Sequence, residues 1–111
     1  DQFLAFLDIN PLAKGHTLVI PKEEVDYIFD LDNDTLSGLM LFAKKVAQAL
    51  DQVMPAKRVG VEVLGLEVPH AHIHLIPFHS ERELCFSNPK LKLDQQEFKE
   101  IADKISNAVN L

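Results

Sequence analysis

Three of the five histidines in this 111-residue chain fall at alternate positions of "GLEVPHAHIHLIPF": His70, His72 and His74. An imidazole lacking its second proton is a nucleophile and a metal ligand at neutral pH. With both protons it is a hydrogen-bond donor. On a strand, successive side chains point to opposite faces. Ala71, Ile73 and Leu75 then share the face that packs under helices, and the imidazoles share the other, more accessible face. Three readings are open: metal ligands, polar filler on a wet face, or a nucleophile with flanking donors. Strand rise constrains the first, since the Cα atoms of His70 and His74 stand roughly 13 Å apart while zinc holds nitrogen at about 2.0–2.1 Å. Two neighbouring imidazoles can converge on one ion. A third ligand has to come from outside the row, from His16, His79 or a carboxylate. Filler accounts poorly for three, because histidine is not a favoured strand residue. The nucleophilic reading suits phosphorus. One nitrogen attacks, a phosphoramidate to histidine forms, water later cleaves it, and neighbouring donors face the charged oxygens. That chemistry needs no metal and no other cofactor.

The elements that must position the row read as β-β-α-β-β-α. Gln2–Ile9 is a short apolar strand, followed by turn chemistry at Asn10-Pro11 and Gly15. His16–Pro21 is a second strand rich in β-branched residues, and the two suggest an antiparallel hairpin. Lys22–Leu31 allows a short helix. Asp32 or Asp34 caps a helix over Thr35–Asp51. Its apolar face is Leu36, Leu39, Met40, Ala43, Val46, Ala47 and Leu50. Lys57–Gly65 and His70–Pro77 are the third and fourth strands. A last helix opens at Asp94, with Glu97 at capping-box spacing, and carries Phe98, Ile101, Ala102, Ile105 and Val109 on one side. Without βαβ alternation the fold class is α+β, an antiparallel sheet with helices on one side.

Residues 1–111 read as a single domain. The chain opens at Asp1 on an apparent strand, so a strand or helix before it is expected to be missing. A net charge of −6 argues against broad electrostatic binding to nucleic acid. It still permits one phosphate held by local dipoles and histidines. Cys85 is the lone cysteine, which excludes an intrachain disulfide and suits a reducing, cytoplasmic setting. It reads as a small buried apolar residue without an activating neighbour. His79 reads as a loop histidine beyond the motif. No apolar run reaches the ~18–20 residues of a membrane span.

"HAHIHLI" resembles the His-φ-His-φ-His-φ-φ signature of the histidine triad (HIT) family, where φ is apolar. "DINPLAKGHTLVIPK" (Asp8–Lys22) resembles that family's N-terminal half-site, and the similarity runs from Phe3 to Pro77. The resemblance implies a HIT-like antiparallel sheet of about five strands with two main helices packed on it. It points to the small hydrolase branch that includes histidine triad nucleotide-binding and fragile histidine triad proteins. The implied activity is cleavage at the α-phosphate of nucleoside phosphoramidates, acyl-nucleotides or dinucleoside polyphosphates through a nucleotidyl-histidine. His72 takes the nucleophile's place, and His70 and His74 orient it and contact phosphate and leaving group. His74 stands where the related transferases carry Gln. His16 matches the supporting fourth histidine. Asp8 matches the acidic position that accepts from ribose hydroxyls, although it could also be a turn residue. Ile9 and Phe6 match walls of the base pocket, with core packing as their alternative. The implied partners are a purine nucleotide of the AMP or GMP type and a second copy of the chain. The long helix, with small Gly38 and Ala43, and a sheet edge are expected at that dimer interface.

The phosphate side departs from the family. Gly65-Leu66-Glu67-Val68 stands where Gly-Gln-Ser/Thr-Val is usual, Glu24 where histidine is common, and the upstream asparagine is absent. Leu66 offers no polar side chain and Glu67 repels an anion unless it turns away, which leaves the backbone N–H groups of Leu66, Glu67 and Val68 to serve. A nucleotide-binding or protein-interaction module with weak or no catalysis is therefore the alternative reading. A metal protein is a third.

Overall fold

The computed structural model describes residues 2–64 and 68–109. Leu66 and Glu67 lie outside the described residues. The strands are β1 (Phe3–Leu7), β2 (Thr17–Pro21), β3 (Arg58–Glu62) and β4 (Ile73–Phe78); the helices are α1 (Asn33–Val53) and α2 (Gln95–Ala108). The sheet order is β1-β2-β4-β3 and every pairing is antiparallel. This is the expected α+β architecture, with four strands among the described residues where about five were implied.

Helix α1 starts where its cap chemistry dictates. The Asp32 carboxylate accepts from the Thr35 N–H at 2.7 Å, satisfying one of the free amides of the first turn. Leu39, Ala43, Val46, Ala49 and Leu50 are buried along its inward face. Met40, assigned to that face, is exposed, because the inward stripe runs along i, i+3/i+4 from Leu39 and leaves Met40 beside it. At α2, Asp94 accepts from the Glu97 N–H at 2.8 Å. The Glu97 carboxylate turns to Lys14 at 3.4 Å, so the cap is one-sided rather than reciprocal. Ile101 and Ile105 are buried, while Ala102 faces outward.

Both helices pack on one face of the sheet. There Val19, Ala71, Ile73 and Leu75 meet Leu39, Ala43, Val46, Leu50, Ile101 and Ile105 in one core. In β1, Phe3, Ala5 and Leu7 turn toward this core, and Leu4 and Phe6 are exposed on the other face. Gly38 and Ala43 do not offer a docking surface: Ala43 is in the core, and a Cβ on Gly38 would meet the Phe3 ring at 2.8 Å.

Most element ends shift by one or two residues from the sequence reading, and three elements differ by more. Of Lys22–Leu31 only Ile28–Asp30 forms a helical turn. Strand β3 ends at Glu62, short of Gly65. Strand β4 begins at Ile73, not His70. His70 to His72 are fastened sideways instead: the Ala71 N–H donates to the Val25 carbonyl at 2.7 Å, outside any strand ladder. No helix is long and apolar enough to cross a membrane among the described residues.

Candidate active site

The loop from Pro11 to Thr17 delivers His16. Gly15 has φ +90°, a conformation that disfavours any side chain. Its carbonyl accepts from the Thr17 hydroxyl at 2.8 Å, and the His16 N–H donates to Ala13 at 3.1 Å. The imidazole that results is 1% exposed. On the next strand, register sets His74 in a row with Phe6, Leu18 and Glu62 across the sheet face opposite the helices. His74 is 6% exposed, so this face is not the open one that alternation suggested. Phe86 covers it. Its ring lies edge-on at 4.7 Å and 71° to His74, and at 6.0 Å and 86° to His16.

Hydrogen bonds assign the protons. The Leu12 N–H donates to His16 Nδ1 at 3.0 Å, so neutral His16 carries its hydrogen on Nε2. That N–H faces His74 Nδ1 at 3.0 Å, so His74 in turn carries its hydrogen on Nε2. The latter donor has no partner among the described residues. His72 is set differently. Its Nδ1–H donates to the His70 carbonyl at 2.7 Å, leaving the Nε2 lone pair free. Its ring stands 4.8 Å from that of His74. The His70 ring turns away, Nε2–H donating to the Pro21 carbonyl at 2.7 Å. His70 therefore acts on His72 through its backbone oxygen, while its side chain pins the row to the end of β2.

Burial pushes the His74 imidazole down to about 4, with neighbouring His16 and His72 acting the same way and Asp8 opposing them. Burial also lowers His16, aided by the Lys90 ammonium and opposed by Asp8. Both rings are thus neutral near pH 7. The Asp8 carboxylate accepts from the Asn10 N–H at 2.8 Å and sets its second oxygen 3.6 Å from His16 Nε2. With His16 neutral this is a charge–dipole contact, not an ion pair.

Asp8, His16 and His74 bring potential metal-ligating atoms within 4.8 Å of one another. Only His74 of this trio belongs to the alternating row. Proton placement works against an ion there, because a metal on His16 Nε2 must replace the proton shared with His74. The Leu12 N–H already occupies the other nitrogen, so no neutral tautomer of His16 is left to bind it.

Of the remaining expected site residues, Ile9 is 80% exposed and Phe6 and Val68 are also open. None of the three is core. Phe6 shares the His74 face, and the Val68 carbonyl accepts from the His70 N–H at 2.8 Å. His79 lines a separate concavity of about 420 Å³ with Lys14, Met54, Glu83 and Glu97, away from the triad. Another, of about 390 Å³, wraps the β1 edge at Phe3, Phe6, Phe42 and Ile105. None of His16, His70, His72 and His74 lines either of these two concavities. Cys85 is exposed, not buried. Its sulfur lies 3.0 Å from the Ser87 hydroxyl; that hydrogen bond and the Ser87 backbone hold the thiol below its ordinary range, with Lys90 adding to them. The sequence reading missed Phe86 and Lys90. "CFSNPK" has no period, and its placement over the histidines depends on a long-range bond from the Leu91 N–H to the Pro11 carbonyl at 2.8 Å.

A histidine row entering a central antiparallel strand, backed by a fourth histidine from the loop that leads into the neighbouring strand, defines a histidine-triad site. The chain belongs to the HIT family: residues 1–81 match the HIT domain. A HIT-like protein of Borreliella burgdorferi is 37% identical over 114 residues, covering 96% of this chain and 82% of that protein. The adenosine 5′-monophosphoramidase of Schizosaccharomyces pombe is 32% identical over 108 residues, covering 96% and 81%. The crystal structure of a HIT-like protein from Bartonella henselae superposes with a TM-score of 0.83 at 32% identity, covering 97% of this chain and 81% of that one. Two further curated relatives are matched over only half of their own length.

Proposed function

We propose that this protein hydrolyses purine nucleotides at the α-phosphate, with phosphoramidates, acyl-nucleotides and dinucleoside polyphosphates as substrate classes, through a nucleotidyl group carried on His72. The observation that carries the reading is the tautomer of His72. Its Nδ1–H is held by the His70 carbonyl at 2.7 Å, so the neutral ring presents Nε2 as the nucleophile. Attack forms a P–N bond to Nε2 and breaks the bond from phosphorus to the leaving amine, carboxylate or phosphate. The imidazole gains positive charge in this step, and the His70 carbonyl oxygen stabilises it. His74 Nε2–H is the open donor for a non-bridging oxygen, and its own Nδ1 is satisfied by His16. Water then attacks phosphorus and the P–N bond to His72 breaks. Over both steps one water is split: hydroxide goes to phosphorus and the proton to the leaving group. The name of the phosphoramidase relative supports the phosphoramidate class.

The nucleoside lies beside Asp8, whose carboxylate accepts from the ribose hydroxyls. Exposed Phe6 and Ile9 give the base apolar contact. On the phosphate side, Leu66 and Glu67 stand in the sequence where glutamine and a hydroxyl residue are usual, and this segment, with Val68, is assigned to substrate binding. A two-fold homodimer is part of the same reading. Strand β3 is an edge of the sheet among the described residues, Val61 in it and Val63 and Leu64 after it are exposed, and Met40 and Leu41 are exposed on α1. Such an edge favours pairing with a second copy. A cytosolic setting completes it, since the free, exposed Cys85 suits a reducing compartment.

The test is a substrate panel with wild type and His72→Ala. Turnover by wild type, its loss in a folded His72→Ala protein, and a trapped nucleotidyl-histidine are expected. Equal turnover by both proteins refutes the assignment. Tight AMP binding by wild type with no turnover of any panel member favours the binding-module reading.

A further inference from the structure

We propose that Phe86 is a positioning residue for this reaction: its ring closes the outer side of the His16–His74 pair and keeps the His74 Nε2–H aimed at the group bound to His72. The inference rests on the hydrolase reading above.

The geometry is specific to these two imidazoles. Phe86 meets both at steep angles, at 4.7 Å from His74 and 6.0 Å from His16. Edge-to-face packing of this kind fixes ring orientation as well as burying area. His74 needs that support. Its backbone is held by the β2 and β3 ladders, but its ring has one anchor among the described residues, the bond from His16. A second constraint on the other side of the ring is what a donor needs to stay in line.

The segment carrying Phe86 is tied down along its length. The Asn88 side-chain amide donates to the Arg82 carbonyl at 2.7 Å. The Asn88 N–H donates to Cys85 at 3.0 Å, and the Leu91 N–H to Pro11 at 2.8 Å. The Lys90 ammonium donates to the Phe86 and Asn88 carbonyls. The Leu91–Pro11 bond joins this segment to the loop whose Leu12 amide sets the His16 tautomer. One structural unit therefore fixes both the proton on His16 and the aromatic cover over the pair.

Removing the ring admits water to the pair and frees the His74 side chain. The charged and titratable groups around His74 are Asp8, His16 and His72, together with Glu62 opposite it in register, and Lys90 acts on His16. With water present, protonated His74 becomes easier to form, and the acid limb of the rate moves to higher pH.

The experiment compares Phe86→Leu, Phe86→Tyr and wild type by kinetics and by NMR titration of the imidazole nitrogens. In Phe86→Leu, kcat is expected to fall about tenfold with KM within about twofold, as expected for a group acting on a catalytic donor and not on nucleotide binding. The His74 titration is expected to rise by about one unit. Phe86→Tyr, which keeps the ring, restores both. Circular dichroism and thermal melting establish that Phe86→Leu is folded; if it is not, Phe86→Met is read in its place. Unchanged kcat and unchanged His74 titration in the folded variant overturn the proposal. So does a fall in kcat with no change at His74. If wild type turns over no substrate, the hydrolase reading fails. The NMR comparison then decides by itself whether Phe86 governs His74.

Discussion

The neutral, buried state of His74 has a consequence for stability that is open to direct measurement. In the folded chain its imidazole titrates at about 4, down from an ordinary 6.5. The unfolded chain takes up the proton first as pH falls, so folding loses stability below about 6.5 and the loss is complete near 4. Above 6.5 both states are neutral and the group has no effect. The full interval corresponds to an upper bound of about 3 kcal/mol. Contact of Nε2 with solvent screens this to about 1–2 kcal/mol. The perturbation is His74→Gln, which keeps an oxygen to accept from His16 and an amide to donate, but cannot titrate. Urea unfolding of both proteins at about pH 7.5 and about pH 4.5 gives the two losses. His16 and the carboxylates titrate in both chains and largely cancel in the difference. Wild type should lose about 1–2 kcal/mol more than His74→Gln. Equal losses in the two proteins would show that His74 is not held neutral by this fold, and the proton assignment of the His16–His74 pair would fail with it.

Three further outcomes follow from single contacts. Gly15→Ala places a side chain at φ +90°, with its Cβ 2.8 Å from the Met54 sulfur; a loss of about 1–2 kcal/mol is expected in chemical denaturation. Ala71→Leu overfills a core position that is 2% exposed, and should cost about 1–3 kcal/mol. It should also lower turnover, since Ala71 lies between the two histidines whose bond sets the His72 tautomer, and a stable variant with unchanged turnover would contradict the proposed coupling. Asp8→Asn removes the carboxylate assigned to the proposed sugar site while sparing His72. KM for the nucleotide should rise about tenfold with a smaller change in kcat, measured in the same panel assay.

Much of the scaffold was legible because it depends on local rules. Asp32 and Asp94 announce helix starts through a carboxylate that reaches its own first turn. Leu39, Ala43, Val46 and Leu50 follow the helical period, and Ala71, Ile73 and Leu75 the strand period, into one core. Two features escaped because distant partners decide them. His70–His72 alternate like a strand, yet the amide of Ala71 pairs with Val25 and the ring of His70 with Pro21, so regular pairing starts only at Ile73. Cys85 resembles a packing residue in composition, but its neighbour Phe86 occupies the covered position and leaves the sulfur outside.

The same distinction separates finding the histidines from knowing what each does. Alternation makes His70, His72 and His74 equivalent, since each is one step along the same face. Backbone groups make them different. A carbonyl two residues back takes the Nδ1 proton of His72 and frees Nε2. An amide at Leu12 takes the Nδ1 lone pair of His16, which sends the proton of His16 toward His74 and the proton of His74 outward. A carbonyl at Pro21 accepts from the His70 Nε2–H and holds that ring against the end of β2. In the proposed mechanism, one nucleophile, one donor and one anchor arise from three identical side chains, with no charged group required at the triad itself. On the proposed reading, a chain of net charge −6 handles phosphate through oriented N–H groups in a partly dry environment, where fixed dipoles act more strongly than they would in water.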